Sequence, residues 1–413
     1  MLGWWKTVAA LRTDPDAIAL RHLVAVIVVV GIAMVGFPPR HSLDVYSYAL
    51  YGRIVSDHHE NPYTHVPVEY RSDPMFPTVG LRWITTPSRY GPVFTAVSAI
   101  GTALLPAKPL PLRLWFQGIA LLGGAGLCVL VWKRTRSPSA LVFVALHPLM
   151  TLSVINGAHN DVFIPLAAFA GVMLVERKRF VKAGLVIAAG ALVKATALFA
   201  IVAIVMWLLG QRRIRDAIIT GASAVIPAVL GTLLVPGCVT AISSASDLNT
   251  NSSIWYVANL YFMRVSSFPI HGSDHSFHEV ELLVKTPAML ATVLALIAGV
   301  VWLSRGARPS AMVVAAVSLS AFSVFAAWVM PWYLIWGLPL LAMWNGRLRT
   351  VAAIHGAVLL AVAHLHGLPR THPNVWTVLF LIGVPIGAVV AYGIAIAHDA
   401  RSGEEIQPSI PTG

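Results

Sequence analysis

Apolar runs recur along this chain too often for any fold that sits wholly in water. Leu23–Phe37, Ala183–Val193, Ala195–Gly210 and Val375–Ala397 are four of them, each nearly free of charge. Of 413 residues, 57% are hydrophobic and only 11% charged, whereas an ordinary soluble domain carries about 25% charged residues. The composition excludes a soluble protein, a nucleic-acid binder and a disordered chain as readings of the whole. The expected fold class is all-α, a polytopic transmembrane helical bundle.

Helical runs are expected at 18–37, 91–106, 110–131, 139–155, 161–175, 183–193, 195–210, 216–236, 283–303, 309–329, 331–344, 350–366 and 375–397. The net charge of +12 sits in short clusters between them: Lys133/Arg134/Arg136, Arg177/Lys178/Arg179/Lys182, Arg212/Arg213/Arg215, Arg305/Arg308 and Arg347/Arg349. Topology explains that charge without nucleic acid, because basic clusters collect on the cytoplasmic side. Both termini then face the cytoplasm, in a cell membrane. The 38–90 loop, the Asn156–Asp161 turn, the 238–282 loop, Met330–Tyr333 and Gly367–Asn374 face outward. Keeping the Lys133 cluster inside requires 91–106 to be short, re-entrant or interfacial, which leaves about 12 crossings, with about 11–13 as the range. Ala183–Gly210 must go out and return, yet its 28 residues would reach only about 42 Å as one helix, against about 60 Å for two spans. A broken hairpin with Lys194 at its tip resolves this.

The whole chain, 1–413, is expected to form one membrane-embedded domain, with 402–413 as a flexible cytoplasmic tail. Met1–Arg21 is polar and mixed in charge, and no small-residue cleavage site follows Leu23–Phe37, so no cleavable signal peptide is expected. Cys128 and Cys238 give neither a disulfide framework nor metal-ligand spacing. No internal repeat is evident, which counts against a transporter built from paired halves.

The external segments, with His366 at the edge of the last, hold 10 of the 15 histidines, and the first loop holds five of the 17 acids: Asp44, Asp57, Glu60, Glu69 and Asp73. Asp44 follows the first span by a few residues and opens an amphipathic stretch through Arg53. Tyr48, Tyr51 and Val55 share its face at i+4, i+7 and i+11. A carboxylate partly desolvated by tyrosines is a stronger base toward a hydroxyl. It is equally a good helix N-cap, with Ser42 able to share the duty. In Asn156-Gly157-Ala158-His159-Asn160-Asp161 a tight turn gathers an imidazole, an amide and a carboxylate. Asn160 or Asp161 would cap the next helix, and the amides there could bind an anion. Lys194, between Val193 and Ala195, is costly in an apolar hairpin unless paired or facing a polar cavity; snorkelling is the alternative. Asn251, Trp255 and Tyr256 in the second loop, and Trp332 and Tyr333 in Trp328–Tyr333, mix amides and aromatics in a way that suits sugar faces and interfacial anchoring alike.

Together these segments resemble the GT-C class of integral-membrane glycosyltransferases, and most of all the polyprenol-phosphate-mannose-dependent mannosyltransferases of actinobacterial cell envelopes. Asp44–Arg53 with Asn61-Pro62-Tyr63, Tyr90-Gly91-Pro92, His147-Pro148 with Gly157–Asp161, Ala191-Leu192-Val193-Lys194 and Pro331-Trp332-Tyr333-Leu334 carry the likeness in order. The resemblance implies a polyprenyl-phosphate sugar donor, a glycolipid or lipoglycan acceptor, and Asp44 as general base. Lys194, His159 and Arg264 would bind the donor phosphate. Tyr48, Arg53, Asn160, Asp161, Asn251, Trp255, Tyr256, Trp332 and Tyr333 would line the substrates. Many relatives carry Pro after the lysine, where this chain has Ala195. No cofactor is expected, and no dense carboxylate cluster calls for a divalent metal. A transporter or flippase for a lipid-linked sugar is the alternative function, for it could use the same lysine and aromatics without chemistry.

Overall fold

The computed structural model describes residues 2–40, 42–243, 253, 255, 287–294, 297, 310–344, 346–364 and 375–402. Arg264, Asn251 and Tyr256 lie outside them. Helices and turns account for the regular structure, and no strand occurs among the described residues. The chain divides into two compact units, one running to Ser243 and one from Ser244 to Ile406.

The first unit contains α1 (Leu2–Thr13), α2 (Leu20–Gly36), α3 (Asp44–Ser56), α4 (Pro92–Leu104), α5 (Pro109–Thr135), α6 (Pro138–Ala145), α7 (Phe163–Glu176), α8 (Phe180–Val193), α9 (Leu198–Gly210), α10 (Ile214–Leu233) and α11 (Cys238–Ser243). Proline opens α4, α5 and α6. A first-turn residue has no intrahelical acceptor for its N–H, so the missing donor costs nothing there. Ser137 caps α6 by accepting from the Ala140 amide at 3.2 Å. Lys133 and Arg134 sit in the last turn of α5, where cations favour the helix dipole. The polar amino-terminal stretch is not loose: α1 docks on α6. Trp4 Nε1 donates to the Val142 carbonyl and the Ser139 hydroxyl to the Val8 carbonyl, both at 3.1 Å.

By length and composition, two described helices can cross a membrane, α5 with 27 residues and α10 with 20. A third span arises if α6 and the π-helical Leu149–Ile155, bent by 40°, count as one. The expected single run over 139–155 is therefore broken at His147-Pro148, where proline supplies no N–H. The expected dozen crossings is not reached by this measure, because α2, α4, α8 and α9 stop after 13–17 residues. At 1.5 Å per residue, the 13 residues of α4 reach only about 20 Å, in keeping with a partial crossing. The α8–α9 hairpin is broken at Lys194, whose backbone is extended (φ −152°, ψ 119°), and resumes through a 3-10 turn at Ala195–Ala197.

In the second unit, α12 (Ala311–Phe325), α13 (Arg347–His364) and α14 (Val375–Ser402) are the long elements. The helix expected at 331–344 is instead two 3-10 segments, Pro331–Trp336 and Leu338–Met343. Pro331, Gly337 and Pro339 punctuate them, and a Cβ at Gly337 would meet the Ala316 carbonyl of α12 at 2.6 Å. Asp399 of α14 holds the start of α13. Its carboxylate accepts from the Arg347 and Leu348 amides at 2.9 Å and from Trp344 Nε1 at 2.7 Å.

Candidate active site

The site is built where α2 ends. Helix termination leaves carbonyls without partners, and side chains far along the chain supply them. Asn156 Nδ2 donates to the carbonyls of Met34, Phe37 and Pro38 at 2.9–3.2 Å, while its Oδ1 accepts from the Arg40 amide. Gln117 Nε2 bridges the Phe37 carbonyl (3.0 Å) to that of Asn156 (2.7 Å). The end of α2 is thereby fastened to the Asn156–Asp161 turn.

A few residues on, α3 begins. Its N-cap position is Leu43, and the Asp44 amide donates to the Ser42 hydroxyl at 3.0 Å. The capping alternative for Asp44 is thus not realised, and its carboxylate stands in the first turn, at the positive end of the helix. Behind it Val45, Tyr48 and Ala49 pack with Phe94 of α4, Leu112 and Phe116 of α5, Ala158 of the turn and Val193 of α8 in one apolar cluster. α3 and α4 approach so closely that a Cβ at Gly52 would lie 2.5 Å from the Ser98 carbonyl oxygen. That cluster fixes the carboxylate relative to both the turn and the hairpin break.

Four groups converge there. The Asp44 side chain is 14% exposed, and its Oδ2 lies 3.8 Å from Nδ1 of the fully buried His159. Lys194 Nζ donates to Asp161 Oδ1 at 2.7 Å, with the Asp161 side chain only 1% exposed. The Gly91 amide donates to the Val193 carbonyl at 2.9 Å, and a Cβ at Gly91 would stand 2.1 Å from the Leu192 carbonyl oxygen. Only glycine lets the end of the first loop close onto the break that presents Lys194. Burial raises the proton affinity of Asp44 to about pH 6, moderated by Ser42 and the Lys194 charge and reinforced by the Asp161 charge. A carboxylate so tuned is ionised at neutral pH yet basic enough to share a hydroxyl proton.

The remaining expected residues divide. Neither Asn160 nor Asp161 caps α7, whose cap position, Val162, has no side-chain cap hydrogen bond. Asn160 is buried in the turn, and its amide has no hydrogen-bond partner among the described residues. Tyr48 does not face the carboxylate as a surface ring; it is 1% exposed and meets Tyr90 and Phe94 edge-on at 4.8 and 4.9 Å. Arg53 points away from the site: its Nε binds both Asp73 oxygens at 3.0 and 2.8 Å, and it also pairs with Asp57. In the second unit Trp255 Nε1 donates to the Phe325 carbonyl at 2.6 Å, while Trp332 and Tyr333 are buried, Tyr333 stacking on Trp336 at 4.4 Å.

Two first-loop residues at the site were not anticipated. The half-buried Trp83 hydrogen-bonds the Asp44 carboxylate, and the Arg89 guanidinium lies 6.0 Å over its ring. Some forty residues separate Trp83 from Asp44, and no spacing rule joins them. Among the described residues no three His, Cys, Asp or Glu side chains converge as a metal-holding set.

Residues 1–210 match the family described as "Alpha-(1->6)-mannopyranosyltransferase, N-terminal domain", and residues 273–397 match the "MptB C-terminal domain". The Alpha-(1->6)-mannopyranosyltransferase A of Mycobacterium tuberculosis is 28% identical over 344 residues, covering 77% of this chain and 64% of that protein. Its counterpart from Corynebacterium glutamicum is 26% identical over 400 residues, covering 86% of this chain and 76% of the relative. The chain thus spans just under two thirds of the mycobacterial relative and about three quarters of the corynebacterial one. With its first half and most of its last third matched in register, the chain belongs to the alpha-(1->6)-mannopyranosyltransferase family of actinobacterial GT-C enzymes.

Proposed function

We propose that this protein is a multi-pass membrane mannosyltransferase that moves mannose from a polyprenyl phosphate to a hydroxyl of an envelope glycolipid or lipoglycan. Both termini face the cytoplasm and the site faces outward. The names of the two relatives support mannose as the sugar. The observation that carries the mechanism is the convergence of Asp44, His159 and the Lys194–Asp161 pair from three separate elements. In a single inverting displacement, Asp44 takes the acceptor proton as the hydroxyl oxygen bonds to the anomeric carbon. The bond from that carbon to the phosphate oxygen breaks on the opposite side, and its electron pair leaves with the lipid phosphate. Lys194 and His159 stabilise the departing charge. Phosphate is a good leaving group, so positioning and charge stabilisation supply most of the rate, and no divalent ion takes part.

Purified protein in nanodiscs, given polyprenyl-phosphate-mannose labelled in the sugar and a membrane lipid extract, is expected to form a labelled glycolipid. Passage of intact labelled donor across a proteoliposome membrane with no product would point to the transport function instead.

A further inference from the structure

The Asp161 carboxylate is among the most deeply buried charges beside Asp44, and it already holds Lys194 at 2.7 Å. A buried ion pair of this kind often does no more than fasten two elements, here the turn before α7 and the α8–α9 break. Its position argues for more. Asp161 directly follows the His159-Asn160 step, and His159 is 3.8 Å from Asp44. The ammonium and the carboxylate therefore act on Asp44 with opposite sign from one place. Resting on the transfer function proposed above, we propose that Asp161 is a positioning residue. It holds the Lys194 ammonium where the phosphate departs and offsets that charge's pull on Asp44, so the base stays strong enough to accept the acceptor's proton.

The other groups facing Asp44 cannot take over this role. Ser42 and Trp83 offer hydrogen bonds without charge. The Tyr51 phenol on α3 and the Tyr90 phenol at the loop end are both pushed well up by burial, so both are neutral. Arg89 acts on Tyr51 and lies over the Trp83 ring. His159, with Nδ1 3.8 Å from Asp44 Oδ2, is a further side chain against the carboxylate. The Asp44 shift follows the same logic: burial is its largest cause, Lys194 opposes it and Asp161 adds to it.

The test is a pH titration of the full chain in nanodiscs by infrared difference spectroscopy. The protonated Asp44 carbonyl band is identified as the one lost in Asp44→Asn. Asp161→Asn is expected to lower its midpoint by about 1 pH unit and Lys194→Ala to raise it by about as much, with the double variant returning near wild type. The acid limb of kcat/KM should move in the same two directions. A midpoint unmoved by Asp161→Asn, in protein of wild-type thermal stability, overturns the proposal. Should Asp161→Asn fail to fold, Lys194→Ala decides: a midpoint that does not rise overturns it equally. The infrared readout needs no substrate, so the two ideas fail separately. Absence of transfer by the wild type removes the function, whereas transfer with an unmoved midpoint removes the role of Asp161.

Discussion

Burial lifts the Asp44 carboxyl from 3.8 to about 6, and two consequences follow from the sign of that shift. A base must be ionised, so transfer is expected to rise with pH through about 6 and level off above it. The folded state also holds a proton that the unfolded chain has released between about pH 4 and 6. Asp44 therefore contributes stability that is present below 4 and lost as pH rises through 6, a slope that Asp44→Asn should abolish. Asp44→Asn is expected to slow transfer by about 10²–10⁴-fold at unchanged expression. Asp57→Asn should leave the rate within a few-fold, since Asp57 is engaged with Arg53 and Ser56. Loss of transfer on Asp57→Asn with retention on Asp44→Asn would reverse the assignment. Arg53→Ala should leave Asp73 a buried, under-paired carboxylate and cost about 3 kcal/mol, read as a large drop in thermal midpoint. Asp44, His159 and Lys194, which the structure brings together, stand out in the sequence because charges are rare beside apolar runs. The contacts of Arg53 with Asp73 and of Tyr48 with Tyr90 and Phe94 were not legible, because a helix face tells which residues align, not which partner covers them. Trp83 and Asn156 act through contacts of forty and more than a hundred residues in sequence separation, which no local pattern encodes.

Helix ends, more than helix middles, arrange this molecule. The break at Lys194 was legible from length alone, since 28 residues cannot cross twice. The break at His147-Pro148 and the 3-10 course of 331–344 are hidden by apolar content that matches a continuous helix, and their only sequence signal is the breakers Pro148, Pro331, Gly337 and Pro339. Gly91→Ala tests the first break. Its Cβ would collide with the Leu192 carbonyl, so the variant should lose about 1–3 kcal/mol and most of its transfer rate, in contrast to a silent Gly36→Ala, which meets nothing within 4 Å. Asp399→Ala removes the acceptor of two backbone amides and an indole N–H at the start of α13. Leaving such donors unmade should cost about 1–3 kcal/mol, seen as earlier proteolysis of the carboxy-terminal region with little change in the kinetics of intact protein.

Across the whole chain, alternation of basic clusters with apolar runs predicts an orientation that labelling can check. A cysteine at Ser72, exposed in the first loop, should react with a membrane-impermeant thiol reagent in intact cells, and one at Lys178, exposed between α7 and α8, should react only after lysis. The reverse pattern would move the site to the cytoplasm and remove its lipid-phosphate chemistry. Asn156 adds a constraint of another kind, on the order in which the protein is made. The carbonyls of Met34 and Pro38 acquire their side-chain donor only when a residue synthesised more than a hundred positions later arrives beside them, whereas that of Phe37 can already be met by Gln117. Until then α3 can pack on α4 and α5, but the turn that brings His159 beside Asp44 is not yet fastened to the end of α2. A chain cut before Asn156 would therefore carry Asp44 and yet lack His159, Asp161 and Lys194, the three groups that converge on it in the full protein.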